Sequence, residues 1–187
     1  MKPLDLLQSL LSLRLRAGAI NRAPSPALAL ATPWLSIMLA SMLPAMPVIA
    51  SAPVLPPFGL MLLLAWSQVR PGLLPIWAGL PLGAFDDLYS GQPFGSAILL
   101  WSLVMMALLA IEARFPWRNF ALDWLVAAGL ICGCLVAMLA IANEAGGAAA
   151  LVVIAPQAAS AVLLYPQLGR LAGALDRFRL IRIVDLG

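Results

Sequence analysis

Asp86 and Asp87 stand side by side at the end of an apolar run, within Gly83-Ala84-Phe85-Asp86-Asp87-Leu88-Tyr89-Ser90-Gly91-Gln92-Pro93-Phe94-Gly95. Two adjacent carboxylates have three uses in such a place. They can be solvated beside a helix end, accept hydrogen bonds from backbone donors freed where a helix breaks, or line a polar cavity that holds a ligand or ion. The sequence alone leaves all three open. It does narrow the chemistry elsewhere. The chain has no histidine for acid–base work or metal ligation, and no Gly-rich phosphate loop. An intramembrane aspartyl protease would take its two acids from separate helices, and these two are neighbours. A phospholipid-synthesis enzyme would need several spaced aspartates around a metal-bound phosphate, and only Asp123 remains for that. Asp123 reads instead as an acid in the first turn of a helix. Cys132 and Cys134, spaced i, i+2 in an apolar run, point to different helix faces and read as buried structural residues. No catalytic residue, cofactor or metal site is expected.

The elements around the acidic pair follow from composition. Hydrophobic residues make up 63% of the 187 and charged residues 10%, against about 45–50% and about 25% in soluble domains. A bilayer can solvate that much apolar surface; a single soluble core cannot. Water is absent from hydrocarbon, so backbone groups must pair within helices or a closed barrel, and long apolar runs favour helices. Six runs are expected to span, at about 29–50, 54–69, 72–89, 94–113, 121–142 and 147–168, each near the roughly 20 residues a bilayer requires. Pro81, inside the third, is expected to kink it. In hydrocarbon each aspartate would cost about 2.5–3.5 kcal/mol at a helix centre, so Asp86 and Asp87 belong near an interface, against a polar cavity or at a helix cap. Ser90-Gly91-Gln92-Pro93 is turn chemistry. Gln157, within the sixth run, needs an interhelical hydrogen bond or a polar groove.

Orientation comes from the eleven lysines and arginines. Lys2, Arg14, Arg16, Arg22, Arg70, Arg114, Arg118, Arg170, Arg177, Arg179 and Arg182 all fall on one side of a six-span layout, and Asp86, Asp87 and Glu144 lie on the other. The positive-inside rule makes the basic side cytoplasmic. The expectation is an all-α integral membrane protein, a compact bundle of about six transmembrane helices with both termini inside. Residues 1–26 form a cytoplasmic tail with a surface amphipathic helix rather than a signal peptide, 27–169 the membrane domain, and 170–187 a basic cytoplasmic tail. Arg14, Arg16, Arg177 and Arg179 are expected to face anionic lipid or cytoplasmic partners. Gly79 and Gly83, Gly129 and Gly133, and Gly169 and Gly173 are i, i+4 pairs, expected to bring helices of the bundle together, with contact to another membrane protein as the alternative use of the same pattern.

The run G-x-x-x-D-L-x-x-G-x-P-x-G, followed by a long apolar helix, resembles the signature stretch of the rod shape-determining protein MreD family, with Gly83, Asp87, Leu88, Gly91 and Gly95 at the motif positions. Size, six-span layout and a short basic tail from Tyr165-Pro166 agree. Asp86 departs from the family, where an apolar residue is common, and the N-terminal extension is longer. The resemblance implies a non-catalytic scaffold in the bacterial inner membrane, within the complex for lateral peptidoglycan synthesis. Its implied partners are MreC, the actin-like MreB, RodA and a penicillin-binding transpeptidase, with membrane lipids around it and no nucleic acid. In size and layout such chains also resemble the substrate-binding subunits of energy-coupling-factor importers. On that alternative a pocket would open beside Asp86, Asp87 and Tyr89.

Overall fold

The computed structural model describes residues 22–24, 26–45, 55–115, 119–180 and 182–185. The expected surface helix with Arg14 and Arg16, and Arg118, lie outside them. Among the described residues six α-helices follow in order: α1 Pro26–Met42, α2 Phe58–Val69, α3 Gly79–Ser90, α4 Ser96–Arg114, α5 Phe120–Glu144 and α6 Ala155–Arg179. The described residues are helical or in turns apart from a short ribbon in which β1 (Arg22–Pro24) pairs antiparallel with β2 (Arg182–Asp185).

Side-chain contacts fix the helix directions. Arg179, at the end of α6, reaches Ala29 at the start of α1, and Asp176 meets Arg70 at the end of α2. Gln68, late in α2, bonds the backbone of Asp123 at the start of α5. At the opposite end Gln157, early in α6, donates to Leu55 just before α2. Successive helices therefore alternate in direction.

Among the described residues three helical stretches are long and apolar enough to cross a membrane: Ser96–Arg114, Phe120–Glu144 and Leu151–Arg179. The second and third expected spans are shorter than predicted. Helix α2 has 12 residues, about 18 Å at 1.5 Å per residue, against a hydrocarbon core of about 30 Å. Prolines set its limits: Pro56 and Pro57 precede it, and Pro71 and Pro75 frame the turn after it. A short helix is tolerable here because protein surrounds it, with every residue from Gly59 to Ser67 buried. It shares one buried core with Ile37 of α1, Leu82 of α3, Trp101 and Val104 of α4, Ile131 of α5 and Tyr165 of α6. Pro81 does not kink α3. It lies in the first turn, after the 3-10 turn Ile76–Ala78, where missing N–H groups cost least.

Two prolines do sit inside helices, Pro33 in α1 and Pro166 in α6. Each removes the N–H that would have bonded the carbonyl four residues back. Both freed carbonyls find a donor on another helix. Arg179 Nη1 donates to Ala29 O at 2.9 Å, and Trp124 Nε1 to Val162 O at 3.0 Å. In an apolar bundle such a donor offsets the cost of an unpaired carbonyl and fixes which helices are neighbours.

Arg179 corrects an expectation. It is buried rather than facing lipid, bridged to Asp176 at 2.8 Å and lying over the Trp66 ring at 5.7 Å. The reason is its position: α6 continues as helix through Arg179, past residue 170 where a tail was expected, so its last turn packs on α1 and α2. Arg177 is exposed.

Candidate functional site

Helix α3 ends on Gly91 at φ 67° and the turn closes on Gly95 at φ 99°, both in the left-handed region that glycine enters without a Cβ penalty. Gly95 is the N-cap of α4 and has no side chain to satisfy the first N–H groups. Asp87 supplies what Gly95 lacks. Gly95 N donates to its Oδ2 at 2.8 Å and Ala97 N to its Oδ1 at 2.9 Å. Ile98 N and Ser96 Oγ complete the set at 3.3 Å each. The carboxylate is only 6% exposed, so its charge is matched by fixed donors and by the helix N-terminus, equivalent to about +0.5 elementary charge. Hydrogen bonds to a charged group contribute about 1.5–3 kcal/mol each. Asp87 is thus a cap delivered from the preceding helix, and both its oxygens are engaged.

Gly83 makes that delivery possible. A Cβ there would stand 2.6 Å from Ala97 O, and one on Gly79 would stand 2.8 Å from Trp101 O. The two glycines let α3 lie backbone against backbone on α4, which places Asp87, one turn further on, under the donors. The other two glycine pairs behave differently. At Gly129, Gly133, Gly169 and Gly173 an added Cβ would meet nothing within 4 Å. Those pairs pack no helix of this bundle, because the helix surfaces beside them are open.

Asp86 points another way from its neighbour. It approaches α2, where its Oδ1 and the buried Ser41 hydroxyl of α1 converge on Gly59. Leu88 is 68% exposed and takes no part in the cluster, and Tyr89 rests on Phe85 with ring centroids 5.0 Å apart. Gln157 lies at the same end of the bundle, its Nε2 donating to Leu55 O at 2.9 Å. Among the described residues no group of three or more His, Cys, Asp or Glu could hold a metal ion.

Two further polar arrangements escaped the sequence reading. Gln68 joins Tyr165 Oη at 2.6 Å to the Asp123 carbonyl at 2.9 Å, linking α2, α5 and α6. Asp176 bridges Arg70 and Arg179. Pro33 and Pro166 were the available signals for the donors on Ala29 and Val162, since a proline within a helix always frees one carbonyl.

No curated protein and no solved structure matches the chain. The family model for the rod shape-determining protein MreD matches residues 27–168, from the start of α1 through most of α6. The chain belongs to the MreD family, whose role is in rod shape determination.

Proposed function

We propose that this protein is a non-catalytic scaffold of the bacterial inner membrane, crossing it six times with both termini in the cytoplasm. In this reading it binds MreC and, with MreB, RodA and a penicillin-binding transpeptidase, supports lateral peptidoglycan synthesis. The observation that carries it is the family match over 27–168 joined to the state of its signature acid. Asp87 has both oxygens on the α4 cap, a structural duty that leaves the function to helix surfaces. Support for the orientation comes from charge. Arg70, Arg114, Arg177 and Arg179 occupy the ends of α2, α4 and α6, with Arg170 in the second half of α6, whereas Asp86, Asp87 and Glu144 occupy the ends of α3 and α5. In this reading the short α2 counts as a span because protein surrounds it.

The test is affinity capture of the tagged full chain from its native membrane in mild detergent. Co-purification of MreC with cell-wall polymerases is expected. Recovery of paired ATPases with a transmembrane coupling subunit, and no MreC, would overturn the scaffold and leave an importer subunit.

A further inference from the structure

The third apolar run is helical only from Ile76 onward, and before it the chain leaves α2 in turns through Gly72, at φ 79°, and Pro75. This break lies beside α4. A Cβ on Gly79 would stand 2.8 Å from Trp101 O and Ser102 N, and Gly72, Leu74 and Ile76 line a cavity of about 70 Å³ with Met105, Leu108 and Glu112. Helix α4 has 19 residues, about 28 Å at 1.5 Å per residue, against a hydrocarbon core of about 30 Å. Crossing takes its whole length, so its residues 101–108 lie within the hydrocarbon and the break lies alongside them. Lipid tails offer no hydrogen-bond partner there. Leu73 N bonds Arg70 O and Ala78 N bonds Pro75 O, but among the described residues the N–H groups of Gly72, Leu74, Ile76 and Trp77 donate to nothing. Ile76 is 48% exposed, Trp77 57% and Leu80 50%, and their i, i+3 and i+4 spacing sets them on one face. Trp34 of α1 packs on Trp77 with ring centroids 5.7 Å apart, which holds that face in place. Non-helical backbone at membrane depth is stable where protein or water pairs it. The cavity has room for about two waters, but Trp77 and Leu80 lie outside its lining.

We infer that the face formed by Ile76, Trp77 and Leu80 docks a membrane-spanning helix of another protein, one that carries Asn, Gln, Ser or Thr at the contact. The break presents N–H groups, each the positive end of a dipole, and no acceptor of this chain meets them. The complementary surface is therefore one of acceptors. A lipid tail has none, and a helix backbone has its own carbonyls engaged, so the acceptor is a side chain of a kind that holds helices together in membranes. The apolar side chains around the break fit the rest of such a helix. The inference rests on the scaffold reading for there being a partner, and it gives that reading a contact surface.

The test places a photo-crosslinking amino acid at Ile76 or Leu80 of the full chain in its native membrane. Leu163 of α6, 71% exposed, is the control position. Both test positions should form an adduct with a peptide from a membrane-spanning segment that carries such a side chain, and Leu163 should form none. Leu80→Trp, a bulkier residue at an exposed position, should abolish the Ile76 adduct with an unchanged melting curve. If that variant melts early, the contrast between the test positions and Leu163 decides alone. Protein adducts at Leu163 but at neither test position, or adducts only with a second copy of this chain, would overturn the inference. So would labelling of Trp77→Cys by a water-soluble maleimide, since water would then pair the break. Each of these results leaves the scaffold reading standing as long as affinity capture still recovers MreC.

Discussion

The α3–α4 hairpin and the α5–α6 pair carry the same small-residue spacing and use it in opposite ways. In the hairpin, Gly79 and Gly83 sit against the backbone of Ala97–Ser102 so closely that no Cβ fits. In the pair, Gly129, Gly133, Gly169 and Gly173 face empty space. The packing follows suit. Of each helix's most apolar 18-residue stretch, 39% is buried for Ser96–Arg114, 28% for Phe120–Glu144 and 11% for Leu151–Arg179. Spacing alone therefore does not make a helix contact. It does so where a second feature fixes the partner, and in the hairpin that feature is Asp87, which ties α3 to the N-terminus of α4 across a five-residue turn. The α5–α6 pair is held by fewer, single bonds such as Trp124 to Val162 O. One half of the molecule is locked inward and the other is left with surface to offer.

The contrast can be broken experimentally. Asp87→Ala strands the donors of Gly95, Ala97 and Ile98 in a dry site and should cost the most, about 3 kcal/mol, read as a fall in folded yield and melting temperature in detergent. Asp86→Ala should cost less in the same assay, because no backbone donor of α4 depends on it. Gly83→Ala forces α3 off α4 and should cost about 2 kcal/mol, measured by the same melting curves. Trp124→Phe removes one interhelical bond from the looser pair and should cost about 1 kcal/mol. Gly129→Ala should be the smallest change, and of opposite sign, stabilising by up to about 1 kcal/mol since the helix gains and nothing clashes. A Gly129→Ala penalty equal to that of Gly83→Ala would erase the distinction between the halves.

Much of this architecture was legible in the residues. Six apolar runs announced six helices because hydrocarbon demands long uninterrupted stretches, and Gly91-Gln92-Pro93 marked the hairpin turn because glycine and proline restrict backbone so strongly. The shortness of α2 was not legible as sufficient: prolines mark its limits in the sequence, but that 12 residues serve there depends on burial by the rest of the bundle, which no single run shows. Nor was the turn of Arg179 into the core: an arginine near a chain end reads as a topological charge, and only the fold brings Trp66, Asp176 and the freed Ala29 carbonyl to it. The glycine pairs were over-read for a similar reason, since a sequence shows the notch but not whether a helix fills it.

The most direct measurement compares Asp87→Asn and Asp87→Ala with the parent for rescue of rod shape in cells lacking the native protein, each normalised to folded protein in the membrane. An internal cap predicts that rescue per folded molecule is unchanged while the folded amount drops, less for asparagine, which keeps one acceptor oxygen. An Asp87→Asn protein that reaches full folded amount and parental melting temperature yet leaves the cells round would contradict the account, and would make Asp87 a contact to something outside this chain.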